Sequence, residues 1–141
     1  MPFQLAGDAP ALDLVEDIAN VKVVVIGTKK ELNHFYRKAR MLVVPSTWFE
    51  TFPLVIGEAM SQGIPVIASR IGGLPEIVDD GVTGLIFEPG NAKDLASKIK
   101  MLWDDPDLCQ RMGNASYDKI RRTSHRKVFF NKLKSVYDDL T

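Results

Sequence analysis

Five short apolar runs, separated by stretches of helical period, constrain the fold of this chain more than any other feature. Residues 3–6, 21–26, 41–44, 64–68 and 84–87 are nearly continuous in apolar and β-branched side chains rather than alternating. That is the pattern of strands covered on both faces. The runs end at turn signals: Gly7-Asp8-Ala9-Pro10, Gly27, Pro45 and Glu88-Pro89-Gly90.

Between these runs the period changes to that of a helix. A helix is expected over 11–19, and a stronger one over 29–40, with Leu32, Phe35, Tyr36 and Ala39 on one face. Thr28 is its N-cap and Glu31 completes a capping box. A third helix is expected over 53–62, with Pro53 in its first turn and Gly63 at its C-terminal cap, and a short one over 74–78. After Pro89 the pattern stays helical: Asn91 caps 92–103, Asp105 caps 106–120, and Ser124 opens a last helix reaching 140. Strands and helices alternating at this spacing imply βαβ units and a parallel sheet. No repeat, low-complexity tract or linker interrupts the pattern, so the reading is a single α/β domain over 1–141. The chain enters almost at once in a strand, which suggests a piece of something larger.

Composition excludes several classes. The chain has 141 residues, and its Lys plus Arg and Asp plus Glu balance at 18 each, so no net field attracts nucleic acid or anionic lipid. The local basic groups at 119–122 and 126–127 read as a solvated helix face. One cysteine, Cys109, rules out an internal disulfide and fits a reducing compartment. No signal peptide or membrane span is visible, so a cytoplasmic setting is the default. His34 and His125 read as surface residues, and no His, Cys and carboxylate spacing suggests a metal site. Nucleophilic-triad, Walker and GxGxxG patterns are absent, and no cofactor is implied.

The chemistry concentrates in residues 45–77. In open parallel sheets, ligands bind at the carboxyl ends of the strands. Glu50 falls in such a loop, between the 41–44 strand and the helix starting near Pro53. The backbone N–H groups of Leu54 and Val55, in that helix's first turn, suit a phosphate. A carboxylate just before them accepts hydrogen bonds from sugar hydroxyls. Glu58 lies one helical turn beyond Leu54, where its two oxygens match adjacent ribose hydroxyls. A nucleotide sugar is therefore the candidate ligand. A solvated polar arc of Gly57, Glu58, Ser61 and Gln62 accounts for Glu58 equally well, and a favourable helix-dipole contact accounts for Glu50. Gly72-Gly73 permits either a tight turn or close approach to a ligand. Trp48 and Phe49 line either a pocket wall or an apolar loop.

An ordered series of segments carries a resemblance. It comprises Pro45-Ser46, Glu50 and Glu58, Glu58-Ala59-Met60, Gly63-Ile64-Pro65-Val66-Ile67-Ala68, Gly72-Gly73-Leu74-Pro75-Glu76-Ile77-Val78 and Gly81-Val82-Thr83-Gly84. The series resembles the C-terminal domain of the retaining, GT-B "group 1" (family 4) glycosyltransferases, over nearly the whole chain. The resemblance implies a Rossmann-like domain that binds the donor, a UDP-, GDP- or ADP-linked sugar, across a cleft from a second domain. It implies that Glu50 contacts the transferred sugar and Glu58 holds the ribose. The backbones of Thr51, Phe52, Leu54 and Val55 would meet the sugar and diphosphate. The base would lie near Gly27-Thr28 and Val44-Pro45-Ser46. The implied reaction is metal-free hexose transfer with retention of configuration.

The chain departs from that pattern. Pro53 stands where the family has glycine, which removes one amide donor. The basic pair that neutralises the diphosphate, and the facing N-terminal domain with the acceptor site, are not in this sequence. The expectation is that the chain alone does not transfer sugar, binds nucleotide sugars weakly and self-associates through an uncovered apolar surface, any membrane contact being left open. Two alternatives stand beside this reading: a stand-alone nucleotide-binding or protein-interaction module, and another GT-B enzyme such as a phosphorylase or epimerase.

Overall fold

The computed structural model describes residues 2–6, 18–51, 53–124 and 126–139. The expected turn at Gly7-Asp8-Ala9-Pro10 and residues 11–17 of the expected first helix lie outside them, as do Phe52, His125 and position 140. The chain forms two compact units, Met1–Lys38 and Ala39–Thr141.

In the first unit, β1 (Phe3–Ala6) pairs in parallel with β2 (Val21–Val24), Phe3 opposite Val21 and Ala6 opposite Val24. Residues 18–20 form a turn rather than the end of a helix. Val21 N–H reaches the carbonyl of Ile18 at 3.2 Å, and Asn20 takes φ +70, a conformation asparagine tolerates better than most residues. Helix α1 (Lys29–Lys38) opens with the expected capping box. Glu31 N–H donates to Thr28 Oγ1 at 3.2 Å, while the Glu31 carboxylate accepts from the amides of Thr28 and Gly27 at 2.9 and 3.1 Å.

The second unit holds a three-stranded parallel sheet in the order β3 (Leu42–Val44), β4 (Val66–Ser69), β5 (Gly84–Phe87). All residues of β4 and β5 are buried, as continuous apolar runs require. On one face Ile67, Leu85 and Phe87 form a core with Ile99 and Leu102 of α4 (Ala92–Asp104) and Met112 of α5 (Pro106–Ser124). By alternation Val66, Ala68 and Ile86 face the other side. Helices α2 (Leu54–Ser61) and α3 (Leu74–Ile77) contact the sheet as well, burying Ile56, Ala59, Met60, Leu74 and Ile77. A final helix, α6 (Arg126–Asp138), contacts α5.

Several boundaries moved, each for a local reason. The strand expected from Ile64 begins two residues later. Helix α2 closes with Gly63 N–H on the Met60 carbonyl and Ile64 N–H on the Ala59 carbonyl, and Pro65 has no N–H for the ladder. Pro53 caps α2 rather than opening it, in an extended conformation at ψ 117. Ser124 closes α5 instead of starting α6. The caps at Asn91 and Asp105 fall where expected: Asp94 N–H donates to Asn91 Oδ1 at 3.1 Å, and Leu108 N–H to Asp105 Oδ1 at 2.8 Å.

Candidate nucleotide-sugar site

Because β3, β4 and β5 are parallel and in register, Val44 beside Ala68 and Ser69 beside Phe87, their carboxyl ends emerge at one edge. The loops 45–53 and 70–73 therefore meet there, and hydrogen bonds join them into one network. Ser69, fully buried at the end of β4, donates its hydroxyl to the Ser46 carbonyl at 2.6 Å. The Ser46 hydroxyl donates to Oε1 of Glu50. The Glu50 carbonyl accepts from the amide of Gly73 at 2.8 Å. Side chain and backbone of the first candidate carboxylate are thus both held, and the carboxylate is half-buried rather than fully solvated.

The glycine pair owes its identity to this loop. A Cβ on Gly72 would lie 2.6 Å from the Glu50 carbonyl oxygen and 2.9 Å from its nitrogen; one on Gly73 would lie 2.4 Å from the Thr51 carbonyl oxygen. Gly72 also takes φ +56. Close backbone approach is required, as the sequence allowed, and the backbone approached is that of Glu50 and Thr51.

Helix α2 follows directly. No side chain caps its N-terminus, and Leu54 and Val55 in its first turn are exposed. Such an end concentrates backbone donors and the positive pole of the helix dipole. Glu58 lies one turn further on, half-buried, with its carbonyl accepting from the Ser61 hydroxyl at 2.7 Å. Along this helix Val55 is exposed, while Ile56, Ala59 and Met60 are completely buried.

The structure therefore brings together Ser46, Glu50, Thr51, Gly72 and Gly73, with Leu54, Val55 and Glu58 along the adjoining helix; Pro45 is exposed at the start of the loop. Phe52 lies outside the described residues. In the first unit, the amides of Gly27 and Thr28 are occupied by Glu31. Hydrogen bonding by the Thr28 side chain, then by those two amides, holds the Glu31 carboxyl below its ordinary range. Ser69 is the residue that sequence reasoning missed. Its only signal was a hydroxyl ending an otherwise apolar strand. Among the described residues no group of three or more His, Cys, Asp or Glu is placed to hold a metal ion. No helix among them is long and apolar enough to cross a membrane.

A parallel α/β fold with its polar, glycine-lined edge at the strand carboxyl ends defines the class, a Rossmann-like α/β domain. The chain belongs to the family described as glycosyl transferases group 1, whose sequence profile matches residues 11–119. It is 34% identical over 126 residues to the sulfoquinovosyl transferase SQD2 of Arabidopsis thaliana, covering 85% of this chain and 24% of that protein. It is 43% identical over 95 residues to a D-inositol 3-phosphate glycosyltransferase of Streptomyces bingchenggensis, covering 67% of this chain and 21% of that protein. Sucrose-phosphate synthase from Thermosynechococcus elongatus superposes with a TM-score of 0.84 at 29% identity, over 97% of this chain and 38% of that one. Anabaena HepE, solved with UDP, has the same fold at a TM-score of 0.86 and 22% identity, over 99% of this chain and 41% of that one. The chain thus spans about a quarter of the length of the plant relative and a fifth of the Streptomyces one.

Proposed function

We propose that this chain is the donor-binding part of a retaining glycosyltransferase of family 4 that transfers a hexose from a UDP-, GDP- or ADP-linked sugar. The observation that carries this reading is the double anchoring of Glu50, by the Ser46 hydroxyl and the Gly73 amide, immediately before the uncapped start of α2. A fixed acceptor beside a cluster of amide donors matches a hexose joined to a diphosphate. In this reading Glu50 accepts from the transferred sugar, and the backbone of Thr51, Phe52, Leu54 and Val55 meets the sugar and diphosphate. Glu58 holds the ribose, and the turn at Pro45-Ser46 lies beside the base. The names of the relatives, a D-inositol 3-phosphate glycosyltransferase and a sulfoquinovosyl transferase among them, support sugar transfer, the acceptor being unassigned.

The same reading gives the residues their catalytic roles. Glu50 orients the sugar and stabilises charge as the bond to the leaving diphosphate breaks, while the positive end of α2 stabilises that diphosphate. Sugar transfer also needs an acceptor aligned against the donor and shielded from water. Since the chain spans so little of its relatives' length, the reading is that this alignment requires the rest of such a protein and that the chain alone is inactive. Phe130, Leu133, Val136 and Tyr137 stand exposed along α6, which supports self-association of the chain when isolated. A cytoplasmic location is part of the same proposal.

Titration calorimetry with UDP, GDP and ADP tests the site. One of the three binds the wild-type chain, and Glu58→Ala weakens it; unchanged affinity in that variant removes the ribose role. Turnover of a nucleotide sugar by the chain alone removes the expectation of inactivity.

A further inference from the structure

Immediately before Glu50, the chain presents two aromatic side chains to solvent: Trp48 is 80% exposed and Phe49 is 86% exposed. Leu54, just beyond the same loop, is 73% exposed. Single exposed apolar residues need no explanation, but large ones grouped beside a candidate site do. The other described tryptophan is used differently, since Trp103 lies partly buried beneath the Arg40 guanidinium, 5.0 Å from its ring centre.

The neighbour identifies the ligand class. Trp48 and Glu50 are two residues apart, so their Cα atoms are separated by at most about 7 Å. That anchors an exposed indole on the same short loop as the carboxylate held by Ser46. A carboxylate accepts only, so it reads a rim of hydroxyl donors. An aromatic face covers apolar C–H surface. A pyranose offers both at once, hydroxyls around its rim and C–H groups across its face. A nucleobase also stacks, but its edge mixes donors with acceptors, and the acceptors would be repelled by Glu50. We propose that Trp48, flanked by Phe49, is the platform on which the donor's pyranose ring is laid, and that it selects for the sugar rather than the nucleotide. This rests on the reading of Glu50 as the sugar-gripping carboxylate.

Trp48 is largely exposed, so its replacement is expected to leave the fold intact, and circular dichroism checks this. The test is ligand-observed saturation-transfer NMR on wild type, Trp48→Ala, Trp48→Phe and Phe49→Ala. The probes are UDP, GDP, ADP, UDP-glucose, UDP-N-acetylglucosamine, GDP-mannose and ADP-glucose. The expected result is that Trp48→Ala weakens a nucleotide sugar by up to about tenfold and leaves the matching nucleoside diphosphate unchanged, with Trp48→Phe recovering most of the loss. Equal weakening of nucleotide and nucleotide sugar overturns the platform in favour of a base contact. So does the absence of any effect on every sugar conjugate. Failure of the wild-type chain to bind any nucleoside diphosphate overturns the site itself, an outcome visible without the variants.

Discussion

The amide of Gly73 donates to the carbonyl of Glu50 at 2.8 Å, tying the turn after β4 to the loop after β3 across 23 residues of sequence. The contact is made by backbone on both sides, and it is possible only because neither Gly72 nor Gly73 carries a side chain. The position of the candidate carboxylate is thus set by two residues that have no functional group of their own.

Substituting those glycines tests the tie. Gly72→Ala forces a Cβ to within 2.6 Å of the Glu50 oxygen at φ +56, and Gly73→Ala forces one to within 2.4 Å of the Thr51 oxygen. Both obstacles are backbone atoms, so the loop must move. Each substitution is expected to cost about 1–3 kcal/mol, measured by urea unfolding. Binding of a nucleotide sugar should fall further than that of the nucleotide alone. A variant that keeps wild-type stability shows that the loop yields freely.

The serines separate packing from positioning. Ser69→Ala leaves the Ser46 carbonyl without its buried donor and should cost about 1–2 kcal/mol of stability. Ser46→Ala removes the donor to the Glu50 carboxylate at a half-buried site. It should change stability less, yet weaken sugar-conjugate binding more than nucleotide binding. Unfolding and titration on the same pair of variants check the contrast. Parallel losses in both measurements contradict a positioning role for Ser46.

What could be read from the chain was what depends on neighbours in sequence. The capping box of Thr28 and Glu31 and the caps at Asn91 and Asp105 were legible, because cap chemistry spans three residues. The parallel strands were legible from their continuous apolar runs. The start of β4 was misplaced because Ile64 looks like strand but completes the closing turn of α2. Gly72 and Gly73 were singled out, but the partner they approach is distant in sequence and left no local trace. The same holds for Ser69, whose acceptor is 23 residues away. For Glu58, periodicity left a solvated face and a ligand contact equally open, and its half-buried position agrees with either.

Protonation of Glu31 should loosen the start of α1. Its carboxyl is held below the ordinary value of 4.5, first by the Thr28 side chain and then by the Gly27 and Thr28 amides. A lowered folded-state pKa means that the stabilisation is fully present above the ordinary value and is lost as pH falls through the lowered one. NMR titration of the Gly27 and Thr28 amides should follow this single carboxyl below pH 4.5. In Glu31→Gln both amides should shift little over that range. Amides that titrate unchanged in the variant would assign the effect to another group.

At the amino edge of the same sheet, chemistry is suppressed instead. Cys109 is 7% exposed and donates its S–H to the Arg40 carbonyl at 3.1 Å, beside a cleft of about 210 Å³ lined by Ala39, Gly63, Ile64, Pro106 and Gln110. Burial pushes the thiol above its ordinary 9.0, against the opposing side-chain hydrogen bond and charge of the Arg40 guanidinium. At neutral pH the reactive thiolate is therefore scarce as well as covered. Ellman's reagent at pH 7.5 should modify the folded chain markedly more slowly than the urea-unfolded one, because the folded thiol is both covered and held protonated by burial. Cys109→Ala should leave nucleotide affinity unaltered, because the site lies at the opposite ends of the strands. Rapid labelling of the folded chain would mean that this edge opens in solution, and loss of nucleotide affinity in Cys109→Ala would mean that the two edges of the sheet are coupled.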